Sequence, residues 1–393
     1  MSRHLLMLGG GHAHLSLLEA APRYLEKGHR VTIVSPEPLL YYSGMGPGML
    51  GGTYAPEEAR FPIRAIAEER GVRWVGDRAE RIDPLGRVVH LASGERLPYD
   101  VLSVNTGSSI APTVAADEIG AEGPRVYNAK PVSQLLELRR DLEARLSGEP
   151  GRRMRIVVAG GGPAAVESVA NAARLVREVS SRATLQEAAE IGLYGGRSVL
   201  SGFPKRAERA AVRALTRLGV RVHEADYVRR IVPGGVVTDG GEEPADVVLL
   251  ATGIVPSRLF VDSRMPVGSD GSMAINEHLH CLGHHEVFGA GDCVWFTPKP
   301  LARAGVFAVR QSPVLVHNVG AALDGEPQRM SPFRPQRGYL LLLNLGDGSA
   351  IGWRRVAGIH VVGRSSAAWR LKDRIDRAFM RRYGSEAERG SQH

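Results

Sequence analysis

Gly9-Gly10-Gly11 and Gly160-Gly161-Gly162 each follow an apolar run, Leu5-Leu6-Met7-Leu8 in the first case and Ile156-Val157-Val158-Ala159 in the second. Glycine at such a turn permits a tight bend and lets backbone N–H groups approach a pyrophosphate, which then rests on the positive end of the helix that follows. The first loop keeps Gly9 and Gly11 but carries His14 where a third small residue is usual, so helix and strand are expected to stand slightly farther apart there. The second loop fills all three positions with Gly160, Gly162 and Ala165. Two loops imply two nucleotides. A side chain at Gly11 is expected to occupy the pyrophosphate position. His12 and His14 flank the first loop, where a hydrogen bond to phosphate or backbone suits them better than catalysis. Glu37 follows the second strand as a ribose ligand displaced from the usual strand end. In the second unit Leu193-Tyr194 leads into Gly195-Gly196-Arg197 with no acid, and an arginine there can accommodate a 2'-phosphate.

The elements that must position these residues read as strand, turn, helix, strand: a helix from His12 to Ala21 and a strand Val31–Val34, then a helix from Pro163 to about Val179. Each unit closes on a later strand, Val101–Val104 before Asn105-Thr106-Gly107 and Val247–Leu250 before Ala251-Thr252-Gly253. Between them Gln134 to Leu146 reads as a charged surface helix leading to a Gly148–Gly151 linker. Glu286-Val287-Phe288-Gly289-Ala290 is a strand that delivers Gly291-Asp292. The 393 residues, 43% hydrophobic and 23% charged, fit a globular chain of about two to three domains. No run approaches the roughly 18 apolar residues of a spanning helix, which argues against a membrane anchor and a cleaved signal. Cys281 and Cys293 are too few for a disulfide scaffold, so a reducing, cytoplasmic setting is expected. The formal charge of +8 rests on only five lysines among fifty basic residues, an arginine bias rather than a nucleic-acid footprint.

Gly9–Gly11, Thr106-Gly107, Gly160–Gly162, Thr252-Gly253 and Gly291-Asp292, in this order and spacing, resemble the two-dinucleotide-binding flavoprotein family of pyridine nucleotide oxidoreductases. The resemblance covers essentially the whole chain. It implies an α/β fold of two Rossmann-like dinucleotide-binding domains, for FAD and NAD(P)H, with a small C-terminal α+β cap. The expected parts are 1–125 and 263–325 for FAD, 126–150 as connecting helix and linker, 151–262 for NAD(P)H, and 326–393 as cap. For FAD it implies contacts at Gly9, Gly11, His12, Glu37, Tyr42, Ser43, Thr106 and Gly107, with Gly291, Asp292, Gly305 and Val306; Asp292 would hydrogen-bond the ribityl chain. For NAD(P)H it implies Gly160, Gly162, Ala165, Arg197, Thr252 and Gly253. A narrower likeness lies in Gly9–His14, in Tyr41 to Gly48 and in the tail Trp369 to Met380. These look like the NADH dehydrogenase-like branch found fused ahead of selenophosphate synthetase, with type II NADH dehydrogenases and sulfide:quinone oxidoreductases as relatives of known chemistry.

The family's disulfide reductases carry a redox cysteine pair shortly after the second strand; this chain has Tyr41-Tyr42-Ser43-Gly44 there and no cysteine before Cys281. That leaves direct hydride transfer from NAD(P)H to flavin and electrons on to an acceptor, a quinone being one candidate. The resemblance assigns catalytic roles to Glu167, on the second-loop helix, and to Lys299, which precedes a helix at Gly305 whose N-terminus would face the flavin. The paired-glutamine quinone motif is reduced to Gln311, out of register. His278, His280, Cys281, His284 and His285 match no standard zinc pattern, and no metal is expected. From Ala367 to Tyr383 the tail is a basic amphipathic helix, suited either to an anionic membrane face on the inner side or to packing on the FAD domain. An oligomer is compatible with the sequence. The rivals are a sulfide:quinone-type flavoprotein that does not use NAD(P)H, a flavin-containing regulatory protein, and a partner in selenium metabolism.

Overall fold

The computed structural model describes residues 1–116, 120, 123–148, 152–180, 185–336, 338–356 and 359–384. Most of the expected Gly148–Gly151 linker, and the chain after Gly384, lie outside the described residues.

The first unit opens with β1 (His4–Leu8), α1 (His12–Glu26) and β2 (Arg30–Val34), followed by the short α2 (Gly46–Leu50), β3 (Arg73–Val75) and β4 (Val101–Val104). The second contains β5 (Arg125–Asn128), α3 (Ser133–Gly148), β6 (Met154–Ala159), α4 (Pro163–Val179), β7 (Ala189–Tyr194), α5 (Lys205–Arg217), β8 (Arg221–His223) and β9 (Val247–Leu250). The chain then returns to the first unit through β10 (Met273–Ile275), β11 (His280–Cys281), β12 (His284–Gly289), β13 (Val294–Phe296) and α6 (Gly305–Asp324). It finishes with β14 (Leu341–Asn344), β15 (Ala350–Val356), β16 (Ile359–Ser365) and α7 (Ser366–Tyr383).

The first sheet has the order β13-β10-β11-β12-β4-β1-β2-β3, and the stretch from β12 to β3 is parallel. β1 is buried along its whole length, which explains its unbroken apolar run: a central parallel strand is covered on both faces. The second sheet is wholly parallel, β5-β9-β6-β7-β8. β5, within the segment read as a connection, is thus an edge strand of the second sheet, and Leu135, Leu136, Leu138 and Leu142 bury one side of α3. Between the two units the chain crosses at Ser109–Ile110 and at Ile254–Val255, and the two crossings pair antiparallel. The third sheet, β14-β15-β16, is antiparallel and carries α7, as expected of an α+β cap.

Two element ends differ from expectation. α1 runs through Pro22 to Glu26 instead of stopping at Ala21. The lost N–H and the ring of a proline oppose this. The last turn is held from outside, since Tyr24 is buried and its hydroxyl donates to the Val316 carbonyl on α6 at 2.9 Å. The run Tyr339-Leu340-Leu341-Leu342-Leu343, which reads as a cap strand in the sequence, enters the sheet only at Leu341; the Tyr339 ring lies edge-on to Phe307 and Trp353.

Candidate functional site

The first loop is braced from behind. Gly9, at φ +87°, donates its N–H to the Val34 carbonyl at 2.8 Å, and a Cβ on it would stand 2.6 Å from the Asn105 carbonyl oxygen. Gly11 is the helix N-cap, and a Cβ there would strike the side-chain oxygen of Asn105. This corrects the expected reason for that glycine: it admits Asn105 from the protein side, whereas the side-chain position is not the pyrophosphate's. Asn105 is buried; its Oδ1 accepts from the Ala13 N–H at 3.0 Å and its Nδ2 donates to the Ala290 carbonyl at 2.6 Å. His14 fills the place of the third small residue as a tie. Its Nδ1 lies 2.6 Å from the Gly9 carbonyl and must donate, so Nε2, 2.9 Å from Ser103 Oγ, accepts. Burial pushes its pKa down to about 4, which keeps the ring neutral.

What surrounds the loop fits a bound dinucleotide. The N-cap glycine offers α1 no side-chain cap; Asn105 takes the Ala13 N–H and the positive end of the helix is otherwise left for an anion, and the His12 Nε2 is buried with no hydrogen-bond partner among the described residues. Burial also lowers the His12 pKa to about 4. A Cβ on Gly107, at φ +71°, would meet nothing within 4 Å, while Thr106 and Glu37 are exposed. Asp292 presents a carboxylate whose pKa is lowered despite burial by the Lys130 ammonium, 2.7 Å from Oδ2, and by the Ser108 hydroxyl, 3.0 Å from the same oxygen. Lys130 and Ser108 went unnoticed in the sequence; the scarcity of lysine was the available signal. Gln311 is committed to structure, its Oε1 accepting from the Gly291 N–H at 2.8 Å.

The second loop repeats the backbone and omits the bracing. Gly160, at φ +132°, donates to the Tyr194 carbonyl at 2.9 Å, and a Cβ on it would strike the Ala251 carbonyl. Gly162 is the N-cap of α4, has no side-chain cap, and a Cβ there would meet nothing within 4 Å. Pro163 opens the helix, where its missing N–H costs nothing, and Ala165 is buried. Thr252 Oγ1 donates to the Ala111 carbonyl at 3.3 Å, and Gly253 has φ +118°. Arg197 is exposed on the turn after β7.

A third cluster joins α4 to the cap. Glu167 Oε1 accepts from the Asn344 N–H at 2.8 Å, and burial raises the carboxyl pKa to about 7, outweighing the lowering by Lys372. Lys372 donates to the Gly44 carbonyl at 2.6 Å and to Asp376 at 2.7 Å, and Asp376 also accepts from the Tyr42 hydroxyl at 3.2 Å. Tyr42 stacks on Phe379 and meets His12 edge-on, which connects this cluster to the first loop. Ser43 Oγ would lie 3.8 Å from a Cβ on Gly305, so the Tyr42-Ser43 turn faces the start of α6, where Val306 is half-buried. Lys299 is not drawn in: it is exposed and forms no hydrogen bond or ion pair among the described residues.

The tail helix has two faces. Lys372, Asp376 and Tyr383 are buried against the first unit, while Arg370, Leu371, Arg374, Ile375, Arg381 and Arg382 are exposed on the other side. No helix among the described residues is long and apolar enough to cross a membrane. Both cysteines are buried and free, with thiol pKa values pushed up to about 12 for Cys281 and about 11 for Cys293.

The chain matches the family model for pyridine nucleotide-disulphide oxidoreductases over residues 3–319. It is 25% identical over 318 residues to the internal alternative NAD(P)H-ubiquinone oxidoreductase A1 of Arabidopsis thaliana, covering 73% of this chain and 60% of that one. It is 28% identical over 301 residues to ferroptosis suppressor protein 1 of Homo sapiens, covering 71% of this chain and 70% of the relative. The chain therefore spans less than two thirds of the plant relative's length. The fold is also that of NDH2 from Plasmodium falciparum, solved in complex with NADH, with a TM-score of 0.79 at 14% identity over 98% of this chain and 99% of that one. The chain belongs to the pyridine nucleotide-disulphide oxidoreductase family.

Proposed function

We propose that the chain is a flavin-dependent NAD(P)H oxidoreductase, with FAD on the first loop, NAD(P)H on the second, and a quinone as electron acceptor. The observation that carries the reading is the repeated loop geometry: two glycine turns, each ending a buried parallel strand and opening a helix whose N-cap is a glycine. The quinone rests on the names of the relatives alone. Gly9, Gly11 and the α1 N-terminus would hold the FAD pyrophosphate, with Glu37 and Thr106-Gly107 beside it, and Asp292, kept ionised by Lys130, would accept from the ribityl hydroxyls. Gly160, Gly162, Ala165 and the Thr252-Gly253 turn would seat the dinucleotide that delivers the hydride.

Bound flavin would supply hydride acceptance and two-electron transfer, which neither buried free cysteine of this chain can offer. The residues around it supply orientation and a proton. Glu167, titrating about pH 7, can hold or release a proton at its carboxyl under neutral conditions, with Lys372 as the charge that lowers its pKa and Asp376 as the one that raises it. Lys299, exposed, has no comparable partner; the lysines gathered near the site are Lys130 and Lys372. A thiol relay lacks a reactive thiol, since both cysteines are buried and protonated at neutral pH. The outer face of α7, with Leu371 and Ile375 among four arginines, would rest on an anionic membrane surface.

Anaerobic stopped flow tests the reading directly. NADH or NADPH added to the yellow protein should bleach the flavin band within the turnover time; a flavin that ignores both nucleotides and is reduced by sulfide would overturn it. Binding to anionic vesicles that disappears in Leu371→Glu/Ile375→Glu would support the surface role of α7, and equal binding by the variant would reject it.

A further inference from the structure

Both crossings between the two units are tied to Asp292, one through its side chain and one through its backbone. Ser108, the residue before the Ser109–Ile110 crossing, donates its hydroxyl to Asp292 Oδ2 at 3.0 Å. On the other crossing the tie runs through Arg303. Its Nε donates to the Asp292 carbonyl at 3.2 Å and its Nη1 to the Ile254 carbonyl at 2.9 Å. Its Nη2 donates to the Asp270 carboxylate at 2.5 Å and to Ser272 Oγ at 2.7 Å, in the turn that leads into β10.

The acceptors show what this side chain joins. Ile254 directly follows Thr252-Gly253, and that turn is itself laced to the first crossing: the Ala111 N–H donates to the Gly253 carbonyl at 2.9 Å and Thr252 Oγ1 donates to the Ala111 carbonyl. Arg303 also stands two residues before Gly305, where α6 begins with Ala304 as its N-cap. One guanidinium therefore connects the Thr252-Gly253 turn of the second unit, the Asp292 loop of the first, and the start of α6. Asp270 alone would answer its charge; the bonds to two backbone carbonyls fix where the chain itself lies. A planar guanidinium holds several acceptors in one fixed fork, which an ammonium on a flexible stem does not.

We propose that Arg303 is a positioning residue that sets the Thr252-Gly253 turn against the Asp292 loop, so that a reduced nicotinamide ring meets the flavin at hydride-transfer distance. The proposal rests on the reading of the two loops as flavin and NAD(P)H sites. The step it serves carries two electrons and one proton, as a hydride, from the nicotinamide to the flavin, leaving the nucleotide oxidised and the flavin reduced. Such a step needs its reacting atoms about 3–3.5 Å apart, and a misplacement of about 1 Å costs on the order of a hundredfold in rate.

The test is anaerobic stopped flow on the flavin-loaded protein and on Arg303→Lys, which keeps the charge and loses the fork, and Arg303→Met, which loses both. The limiting rate of flavin reduction at saturating NADH or NADPH should fall by about ten- to a hundredfold in each variant. The nucleotide Kd should stay at the parental value, and the long-wavelength charge-transfer absorbance of stacked nicotinamide and flavin should fade. In Arg303→Lys the flavin midpoint potential should also match the parent. A parental rate in either variant would overturn the proposal. So would a shift of potential in Arg303→Lys large enough to account for its slower rate, since the side chain would then tune the flavin instead of placing the nucleotide. Loss of flavin from both variants would make Arg303 a residue of folding alone and overturn it as well. A parent protein whose flavin neither nucleotide reduces would overturn the reading of the two loops, and the proposal with it.

Discussion

The two glycine loops share a backbone and differ in what stands behind it. In both, the first glycine donates to the last carbonyl of the neighbouring strand, Val34 or Tyr194, and lies against the carbonyl after the third strand, Asn105 or Ala251. In the first loop the side chain of Asn105 reaches on to Ala13 and Ala290, and His14 ties Gly9 to Ser103. In the second loop the corresponding positions are Ala251 and Ala165, which tie nothing. A loop braced from three sides suits a cofactor kept through every turnover, and one open at its second glycine suits a ligand that must enter and leave.

The sharpest way to break this comparison is a pair of substitutions. Gly11→Val drives a branched side chain into Asn105 and should cost at least about 1–3 kcal/mol of overpacking together with most of the bound flavin. Gly162→Ala has space for its Cβ and should leave the melting temperature unchanged while weakening NAD(P)H about tenfold, or about 1.4 kcal/mol. Thermal melts and flavin content read both; a yellow Gly11→Val and a collapsed Gly162→Ala would invert the comparison. Next in size, Asn105→Ala strands the Ala13 N–H, at about 1–3 kcal/mol, leaves the Ala290 carbonyl only the Cys293 thiol, and should release flavin on dilution. Retention of flavin at parental stability would show that the bracing is dispensable.

A smaller effect follows from the neutral histidines. His12 and His14 titrate near 4 when folded and near 6.5 when unfolded, so the unfolded chain binds more protons between those values. Stability should rise with pH across that window, as read by urea midpoints, and His14→Ala should flatten the slope; an unchanged slope would refute its neutral role. The smallest stability change belongs to Glu167→Gln on the second-loop helix. The variant should melt near the parent at pH 7 but lose the inflection near pH 7 in the rate of electron delivery to a quinone. A profile that keeps its inflection would move the proton to another group.

Much of this was legible because glycine at a strand end has few structural uses, and the repeated Thr-Gly turns gave the two units the same rhythm. Four residues, Asn105, Lys130, Lys372 and Asp376, escaped for one shared reason: their partners are far away in sequence. Asn105 and Ala251 precede identical Thr-Gly pairs, and only the folded contacts with Ala13 and Ala290 separate a brace from a spacer. Lys130 meets Asp292 across 162 positions. Lys372 and Asp376 read as part of the charged face of a basic amphipathic helix, but Gly44 and Tyr42 are what they reach. A single helical wheel cannot show which of two charged faces will be covered. Pro22 misled in the opposite direction, since a local breaking signal was overruled by the packing of Tyr24 on α6.

The insertion of the second unit between β4 and β12 bears on how the chain is made. β4 pairs with β12, Val104 standing opposite Gly289, yet the whole second unit is synthesised between them. At about 5–20 residues per second on the ribosome, β4 waits roughly 10–40 s for its neighbour. During that interval one edge of an apolar parallel sheet is unpaired, while the inserted unit already has every strand it needs. The nascent chain therefore finishes its second unit before its first, and the interval in which it is most exposed to mispairing falls between those two events.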